Sequence, residues 1–342
     1  FASLDLISGG RSGWNLVTSH NDLEAMNFNR EALPEHGLRY QRAEEYADVV
    51  LKLWDSWEAD AFMRDVERGQ FFDPRKVRIA NHRGTFFSVR GPLNVPRSPQ
   101  GRPVMVQAGS SGPGMDLAAR CAEVVFTGQN ELSSAQAFYR DLKGRLAAHG
   151  RQRSDVLVLP GFMPIVGSTE AEARRRDDYL KSLIHPELAM TFLSKWIGVD
   201  ARDIDPDGPV PDAAETNAHK SRQRLLLKKA REENMSVREL SLLVAQTVGH
   251  GKLVGTPAQI ADHMEEWFEG EAADGFAIIA AVLPYDLRAF SELVIPELQR
   301  RGLFRTEYEG ATLRENLGLP APGNAYSRQE RLMNADEAAS CS

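Results

Sequence analysis

The sequence is poor in cysteine and has no long apolar run. Its only two cysteines, Cys121 and Cys341, lie far apart in a chain of 342 residues. Neither a disulfide framework nor a cysteine metal site is therefore expected, and the composition suits the reducing cytoplasm. The longest apolar run, residues 276–283, is far shorter than the roughly 18 residues that a membrane-spanning helix needs. We expect a cytoplasmic protein that does not enter a membrane.

The sequence also has fewer basic than acidic residues. Lysine and arginine number 41 against 48 aspartate and glutamate residues, which gives a net charge of -7. A nucleic-acid partner is not expected, because binding to phosphate backbones requires a basic surface. Neither a His-Glu-x-x-His zinc motif nor a Gly-x-Ser-x-Gly nucleophile motif occurs, so a zinc enzyme and a serine hydrolase are both disfavoured. The expected partner is a small molecule.

Patterns of strand and helix alternate over much of the chain, which is typical of a parallel sheet covered by helices. Helices are predicted from the 3.6-residue apolar period and from capping residues such as Asn130, the pair Thr169 and Glu172, and the pair Thr256 and Gln259. Five parallel strands are predicted, at residues 14–19, 104–107, 123–126, 156–159 and 276–282. Six helices are predicted, at residues 39–57, around 118–119, 130–146, from 169 onward, 256–270 and 286–301.

Two segments depart from this alternation. Residues 185–250 contain helical patterns but no strand pattern, and they predict an all-helical insertion. Residues 77–89 predict a hairpin within a long connection that ends in a loop at residues 91–103, which is rich in proline and glycine. A closed (β/α)8 barrel needs eight strands, so either the sheet is open or three strands are missing on the N-terminal side.

The turn at residues 107–114 has the composition of a phosphate-binding site. Gly109, Gly112 and Gly114 let backbone amides approach an anion, Ser110 and Ser111 add hydroxyl donors, and a helix N-terminus follows. The spacing is not that of the Rossmann fingerprint. A flexible surface turn is the alternative explanation.

A second polar group follows the first predicted strand. Asn15, Thr18 and Ser19 offer amide and hydroxyl groups at the carboxyl end of a strand, where binding sites lie in parallel α/β folds. These groups suit a heterocycle or a ribityl chain. A helix cap or an ordinary turn explains them equally well.

Several segments resemble one family in their order along the chain. Leu4-Asp5-Leu6-Ile7-Ser8-Gly9-Gly10-Arg11, followed by Trp14-Asn15-Leu16-Val17-Thr18-Ser19, is similar to a segment of the bacterial-luciferase-like flavin monooxygenases. The nearest branch is that of the nitrilotriacetate, dibenzothiophene-sulfone and pristinamycin monooxygenases. Further matches lie at residues 36–40, 53–57, 91–94, 98–103, 107–111, 159–161, 254–257, 273–276, 294–298 and 308–310.

The resemblance implies a TIM barrel with a helical insertion and a two-component monooxygenase. Such an enzyme receives reduced FMN from a separate NAD(P)H:FMN reductase and uses O2 to form a flavin C4a-hydroperoxide. One oxygen atom then passes to a small organic substrate of the xenobiotic type. The resemblance assigns no catalytic residue and no metal, and it favours a homo-oligomer.

By motif match, the resemblance also assigns cofactor-binding residues. His36 and Tyr40 would contact the FMN phosphate or ribityl chain, and Ser110 or Ser111 would hold the phosphate. The remaining residues of this expected site are Gln107 and Gly109 in the same turn and Asn15, Thr18 and Ser19 near the flavin.

The start of the chain bears on the barrel count. The chain begins at Phe1 without an initiator methionine, and family members carry the first three barrel strands before the matching segment. We therefore expect an N-terminally truncated barrel domain over residues 1–320 and a flexible tail over residues 321–342. Two alternatives stay open: an oxidoreductase on the same scaffold that uses the deazaflavin F420, and a flavin-storage protein without catalytic activity.

Overall fold

The computed structural model describes residues 1–19, 22–212 and 220–326, apart from the side chains of residues 220–222. All the predicted site residues lie within these ranges. No helix in the described ranges is both long and apolar enough to cross a membrane.

Six parallel strands form the central sheet. They are β1 Gly13–Leu16, β4 Val104–Gln107, β5 Val124–Thr127, β6 Leu157–Val166, β7 Gly251–Gly255 and β8 Ala277–Ile278, and a separate antiparallel hairpin is formed by β2 His82–Arg83 and β3 Ser88–Val89. The strand order is β1-β4-β5-β6-β7, and β8 also pairs with β6. Strand β6 is long enough to pair with three strands, because its first half pairs with β5, its second half with β7 and its middle with β8.

Helices cover one face of this sheet and form the insertion. They are α1 Ala2–Ile7, α2 Asp22–Met26, α3 His36–Trp54, α4 Gly112–Cys121, α5 Leu132–Arg145, α6 Glu170–Ser182, α7 Pro186–Ile197, α8 Lys220–Glu232, α9 Val237–Thr247, α10 Pro257–Glu269, α11 Tyr285–Ala289, α12 Ile295–Arg300 and α13 Leu313–Asn316.

The predicted count of five parallel strands is wrong. The sixth strand, β7, has only two adjacent apolar residues between two glycines, which is a weak strand pattern. The expectation of three missing strands is based on a count of five, and the observed sheet has six strands. The predicted strand at 276–282 is also wrong in length, because only Ala277–Ile278 pairs with β6.

The two faces of the sheet have different environments. On the outer face, Val125 and Val158 pack against the helices of the α4 and α5 layer. On the inner face, Val104 and Val124 pack with Leu319 from the C-terminal segment. Successive residues of a strand alternate between these faces, so Phe126 lies on the inner face with Val124.

The C-terminal segment closes one end of the inner face. Leu313, Leu317 and Leu319 pack where β4 and β5 begin. Further along, Asn324 is 8% exposed and its Nδ2 donates to the carbonyl of Asp55 at 2.9 Å. Packed residues thus continue past position 321, where we expected the tail to begin, and residues 327–342 lie outside the described part.

Over the part of residues 185–250 that the structure describes, the chain forms the helices α7, α8 and α9. Leu193 of α7, Leu226 of α8 and Leu240 of α9 meet in a separate apolar cluster. This cluster makes the insertion a small unit with a core of its own, and α9 returns the chain to the sheet at β7.

Helix ends are predicted unevenly by the sequence. Thr256 and Gln259 form the expected capping box. Thr169 caps α6, and the carboxylate of Glu172 accepts a hydrogen bond from the backbone N–H of Ser168 at 2.9 Å. The prediction that Asn130 caps the next helix is wrong, because Glu131 is the N-cap of α5.

The predicted helix at 286–301 is interrupted. A π-helical segment, Phe290–Val294, separates α11 from α12. Pro296 lies in the first turn of α12 and has no amide hydrogen to donate, so the regular hydrogen-bond ladder cannot run through this point.

Candidate functional site

The turn between β4 and α4 is built around the helix N-terminus. Ser111 is the N-cap of α4, and its Oγ accepts a hydrogen bond from the backbone N–H of Gly114 at 3.2 Å. Pro113 has no amide hydrogen, so the first turn of α4 offers fewer donors than the composition of the turn suggests. The backbone N–H of Gly112, the two serine hydroxyls and the positive end of the helix dipole are the groups suited to an anion.

Two glycines in this turn are required by close packing. A Cβ atom on Gly109 would lie 2.4 Å from Gln107 Nε2, 2.6 Å from Tyr40 Oη and 3.0 Å from the Gly114 Cα. Gly114 is equally confined, since its Cβ would lie 2.8 Å from the carbonyl carbon of Gly109. The glycines therefore let the turn fold back on itself and bring a phenol and an amide against its backbone.

The N-terminal end of α3 supplies two further predicted residues. The rings of His36 and Tyr40 lie 4.9 Å apart, and Tyr40 is 7% exposed. Gln107 Oε1 accepts a hydrogen bond from the backbone N–H of Gly109 at 2.7 Å, which orients its amide nitrogen toward the tyrosine side of the turn. His36, Tyr40, Gln107 and Gly109 thus form one cluster.

Thr127, which the sequence analysis did not single out, belongs to the same group. It is 2% exposed at the end of β5, and its Oγ1 lies 3.3 Å from Ser110 Oγ. Its position at the carboxyl end of a predicted strand was the available signal, because binding residues collect there in parallel sheets.

The residues after β1 lie on a neighbouring part of the same edge. Asn15 is exposed on the inner face and pairs with Val106 in the β1–β4 register. The backbone carbonyl of Ser19 accepts a hydrogen bond from Arg39 Nη1 at 2.8 Å, which links this segment to α3. Thr18 is half-buried between them. These polar groups are near the turn along the sheet edge, but the hydrogen bonds given above do not join them to it.

Known proteins match this chain over most of its length. A family model described as "Luciferase-like monooxygenase" matches residues 1–274. The chain belongs to this family. It is 50% identical over 331 residues to N-acetyl-S-(2-succino)cysteine monooxygenase of Bacillus subtilis (strain 168), which covers 96% of this chain and 75% of that protein. It is also 50% identical over 330 residues to nitrilotriacetate monooxygenase component A of Aminobacter aminovorans, covering 96% and 73%.

The fold agrees with this assignment. The crystal structure of DmoA from Hyphomicrobium sulfonivorans superposes on this luciferase-like monooxygenase with a TM-score of 0.82 and 32% identity, covering 92% of this chain and 67% of the other. The family resemblance and the predicted α/β class with a parallel sheet are confirmed. The protein is a flavin-dependent monooxygenase of the two-component, nitrilotriacetate monooxygenase type.

Of the two cysteines, the described one, Cys121, lies away from the site of this monooxygenase. Cys121 is at the far end of α4 from the turn, and burial raises the pKa of its thiol to about 11, so it is protonated at neutral pH. Among the described residues, no group of three or more histidine, cysteine or acidic side chains could hold a metal ion. Cys341 lies outside the described part of the chain.

Proposed function

We propose that the turn after β4 binds the phosphate of FMN and that the flavin extends from it toward the end of β1. The observation that carries this is the approach of Tyr40 Oη and Gln107 Nε2 to the backbone at Gly109, beside a capped helix N-terminus. A phosphate group fits this donor set, because hydroxyls, a backbone N–H and a helix dipole all favour an anion.

Each residue has a definite role in this proposal. The hydroxyls of Ser110 and Tyr40 and the backbone N–H of Gly112 donate to phosphate oxygens, while Ser111 holds the helix end in place. Thr127 orients the Ser110 hydroxyl through their 3.3 Å contact. His36 packs on Tyr40 and offers a ring nitrogen to the phosphate or the ribityl chain.

The flavin ring then lies over the inner face near Asn15, Thr18 and Ser19, whose amide and hydroxyl groups match a heterocycle edge. Reduced FMN supplies the electrons that activate O2 for transfer of one oxygen atom to the substrate. We propose that a separate NAD(P)H:FMN reductase delivers it, which the "component A" in the relative's name supports. The chain's own contribution is to bind the phosphate, orient the ring and exclude water.

The proposed substrate is a small polycarboxylate with a central amine nitrogen or thioether sulfur. N-acetyl-S-(2-succino)cysteine and nitrilotriacetate, named for two relatives at 50% identity, share this chemistry. Both relatives align over 96% of the chain, so the likeness includes the sheet edge where the substrate would bind.

The experiment combines the protein with FMN, NADH, a flavin reductase, catalase and 18O2, and offers either polycarboxylate as substrate. We expect a product that carries one 18O atom, detected by mass spectrometry, and none when the reductase is omitted. Oxygenation of a neutral sulfone with both polycarboxylates inert would contradict the substrate class. Absence of FMN binding would contradict the proposal as a whole.

A further inference from the structure

We propose that His250 contacts the organic substrate and hydrogen-bonds to one of its carboxylates beside the flavin. This inference rests on the proposed function above and deepens it by assigning a substrate-binding residue. His250 comes from the helical insertion and not from the strand ends where the cofactor residues were sought.

His250 lies against the inner face of the sheet. Its ring centroid is 5.1 Å from that of Phe126, which is on the inner face of β5. A Cβ atom on Gly161 of β6 would lie 2.7 Å from His250 Nδ1, 3.0 Å from Phe126 Cε2 and 3.1 Å from Ile279 Cδ1. The imidazole therefore occupies the space that a side chain at position 161 would fill.

The backbone holds the imidazole at this position. Helix α9 ends at Thr247, and Val248 and Gly249 then adopt left-handed conformations with φ of 50° and 72°. The backbone N–H of His250 donates to the carbonyl of Thr247 at 3.1 Å, and β7 begins at the next residue. A residue held between a helix end and a paired strand is well placed to keep a fixed side-chain geometry.

The position of His250 along the sheet points to the substrate and not to the flavin. The proposed phosphate turn follows β4, and the proposed ring contacts follow β1, so the flavin covers the β1–β4 side. His250 contacts β5, β6 and the chain after β8. In the strand order, this part of the sheet lies on the side of β5 that is away from β1 and β4. This leaves the floor formed by Phe126, Gly161 and Ile279 for the substrate.

The surroundings suit recognition of a carboxylate. The side chains of Phe126 and Ile279 exclude water from one side of the ring, and a hydrogen bond to an ionised group is stronger in such a place than in bulk water. The nitrogen that faces Gly161 is Nδ1, so Nε2 is the atom we assign to the substrate.

Two substitutions separate hydrogen bonding from packing. H250F keeps an aromatic ring against Phe126 but removes both nitrogens, whereas H250Q keeps a donor near the position of Nε2. The matched control is H263F, because His263 also packs on aromatic rings, those of Phe162 and Trp267, but in the helix-covered outer layer. Binding of FMN is followed by flavin fluorescence, and binding of nitrilotriacetate and N-acetyl-S-(2-succino)cysteine to the flavin-loaded protein by calorimetry.

We expect H250F to weaken binding of whichever polycarboxylate the wild-type protein binds about tenfold or more, since a hydrogen bond to a charged group has about this effect. H250Q should recover part of the loss, H263F should bind as wild type does, and FMN affinity should be unchanged in all three. Equal polycarboxylate affinity of wild type and both His250 variants would overturn the assignment. So would a wild-type protein that binds FMN but neither polycarboxylate, whereas failure to bind FMN would count against the proposed function instead. Melting temperatures show whether each variant is folded. If H250F is misfolded, the polycarboxylate affinity of H250Q tests the assignment instead.

Discussion

At the scale of single residues, the proposed cofactor site depends on the absence of a side chain at Gly109 in the turn after β4. Gly109 has no Cβ, and for that reason Tyr40 and Gln107 can reach the turn. The small residues of the turn are visible in the sequence, and they predict a phosphate site from composition alone. The approach of Tyr40 is not visible there, because it depends on how α3 packs against β4.

Ser111 allows a test that separates charge from helix capping. Aspartate and asparagine are both good N-caps, so S111D and S111N should preserve α4, and only S111D adds a negative charge beside the phosphate. We expect S111D to weaken FMN binding at least about tenfold, since a repulsion of about 1.4 kcal/mol has that effect. S111N should bind FMN nearly as wild type does. Equal FMN dissociation constants for S111D and S111N would remove this turn from the phosphate site.

At the scale of secondary-structure elements, the sequence predicts those with strong local signals. Strand β4 has the predicted bounds, and α10 begins at its predicted capping box. Strand β7 was missed and β8 was overestimated, because their extent depends on pairing with β6 and not on their own residues. The strands whose limits are set by tertiary contacts are therefore the ones that a single sequence predicts poorly.

The C-terminal segment is fixed to the sheet by a buried ion pair. Arg314 is 2% exposed, and its Nη1 and Nη2 donate to Glu123 at 2.6 and 2.9 Å. R314M removes this partner and leaves the buried Glu123 carboxylate with the more distant Arg102, whose Nη2 lies 4.0 Å from Glu123 Oε1. We therefore expect R314M to lower the free energy of unfolding by about 3 kcal/mol, the lower end of the cost of breaking a buried ion pair. Urea unfolding measures this loss.

The double variant R314M/E123Q is the control for that prediction. Its second substitution removes the carboxylate charge that has lost Arg314 but keeps an oxygen for the backbone N–H of Met105, which donates to Glu123 at 2.9 Å. The double variant should recover part of the stability lost in R314M. A loss below about 1 kcal/mol in R314M would mean that the pair does not anchor the segment.

Helix α10 contains a group that links stability to pH. Burial lowers the pKa of His263, and its Nε2 is buried with no hydrogen-bond partner among the residues that the structure describes. In the unfolded chain a histidine takes up its proton near pH 6.5, whereas in the folded chain it stays neutral to lower pH. The unfolded state therefore binds more protons just below about pH 6.5, and stability must fall as the pH falls through this range.

The measurement is urea unfolding above and below about pH 6.5 for wild type and H263F, which keeps a ring but cannot titrate. Because one such group contributes up to about 1.4 kcal/mol for each pH unit, wild type should lose more stability on acidification than H263F. The same pH dependence in both proteins would show that His263 is not the group responsible.

At the scale of the whole molecule, the two ends of the sheet have different roles. Leu313, Leu317 and Leu319 close the inner face where the strands begin, and the predicted polar residues collect where they end. The insertion adds its own core and returns a histidine to the inner face. The proposed cofactor residues therefore lie along the carboxyl edge of the sheet, and the proposed substrate residue contacts its inner face.

The proposed role of this edge is to bind the phosphate of FMN. The most direct test compares the dissociation constants of FMN and riboflavin for the wild-type protein, since riboflavin has the same ring and ribityl chain but no phosphate. We expect FMN to bind at least about tenfold more tightly than riboflavin, the effect of one charge-assisted hydrogen bond. Equal affinity for FMN and riboflavin would contradict it.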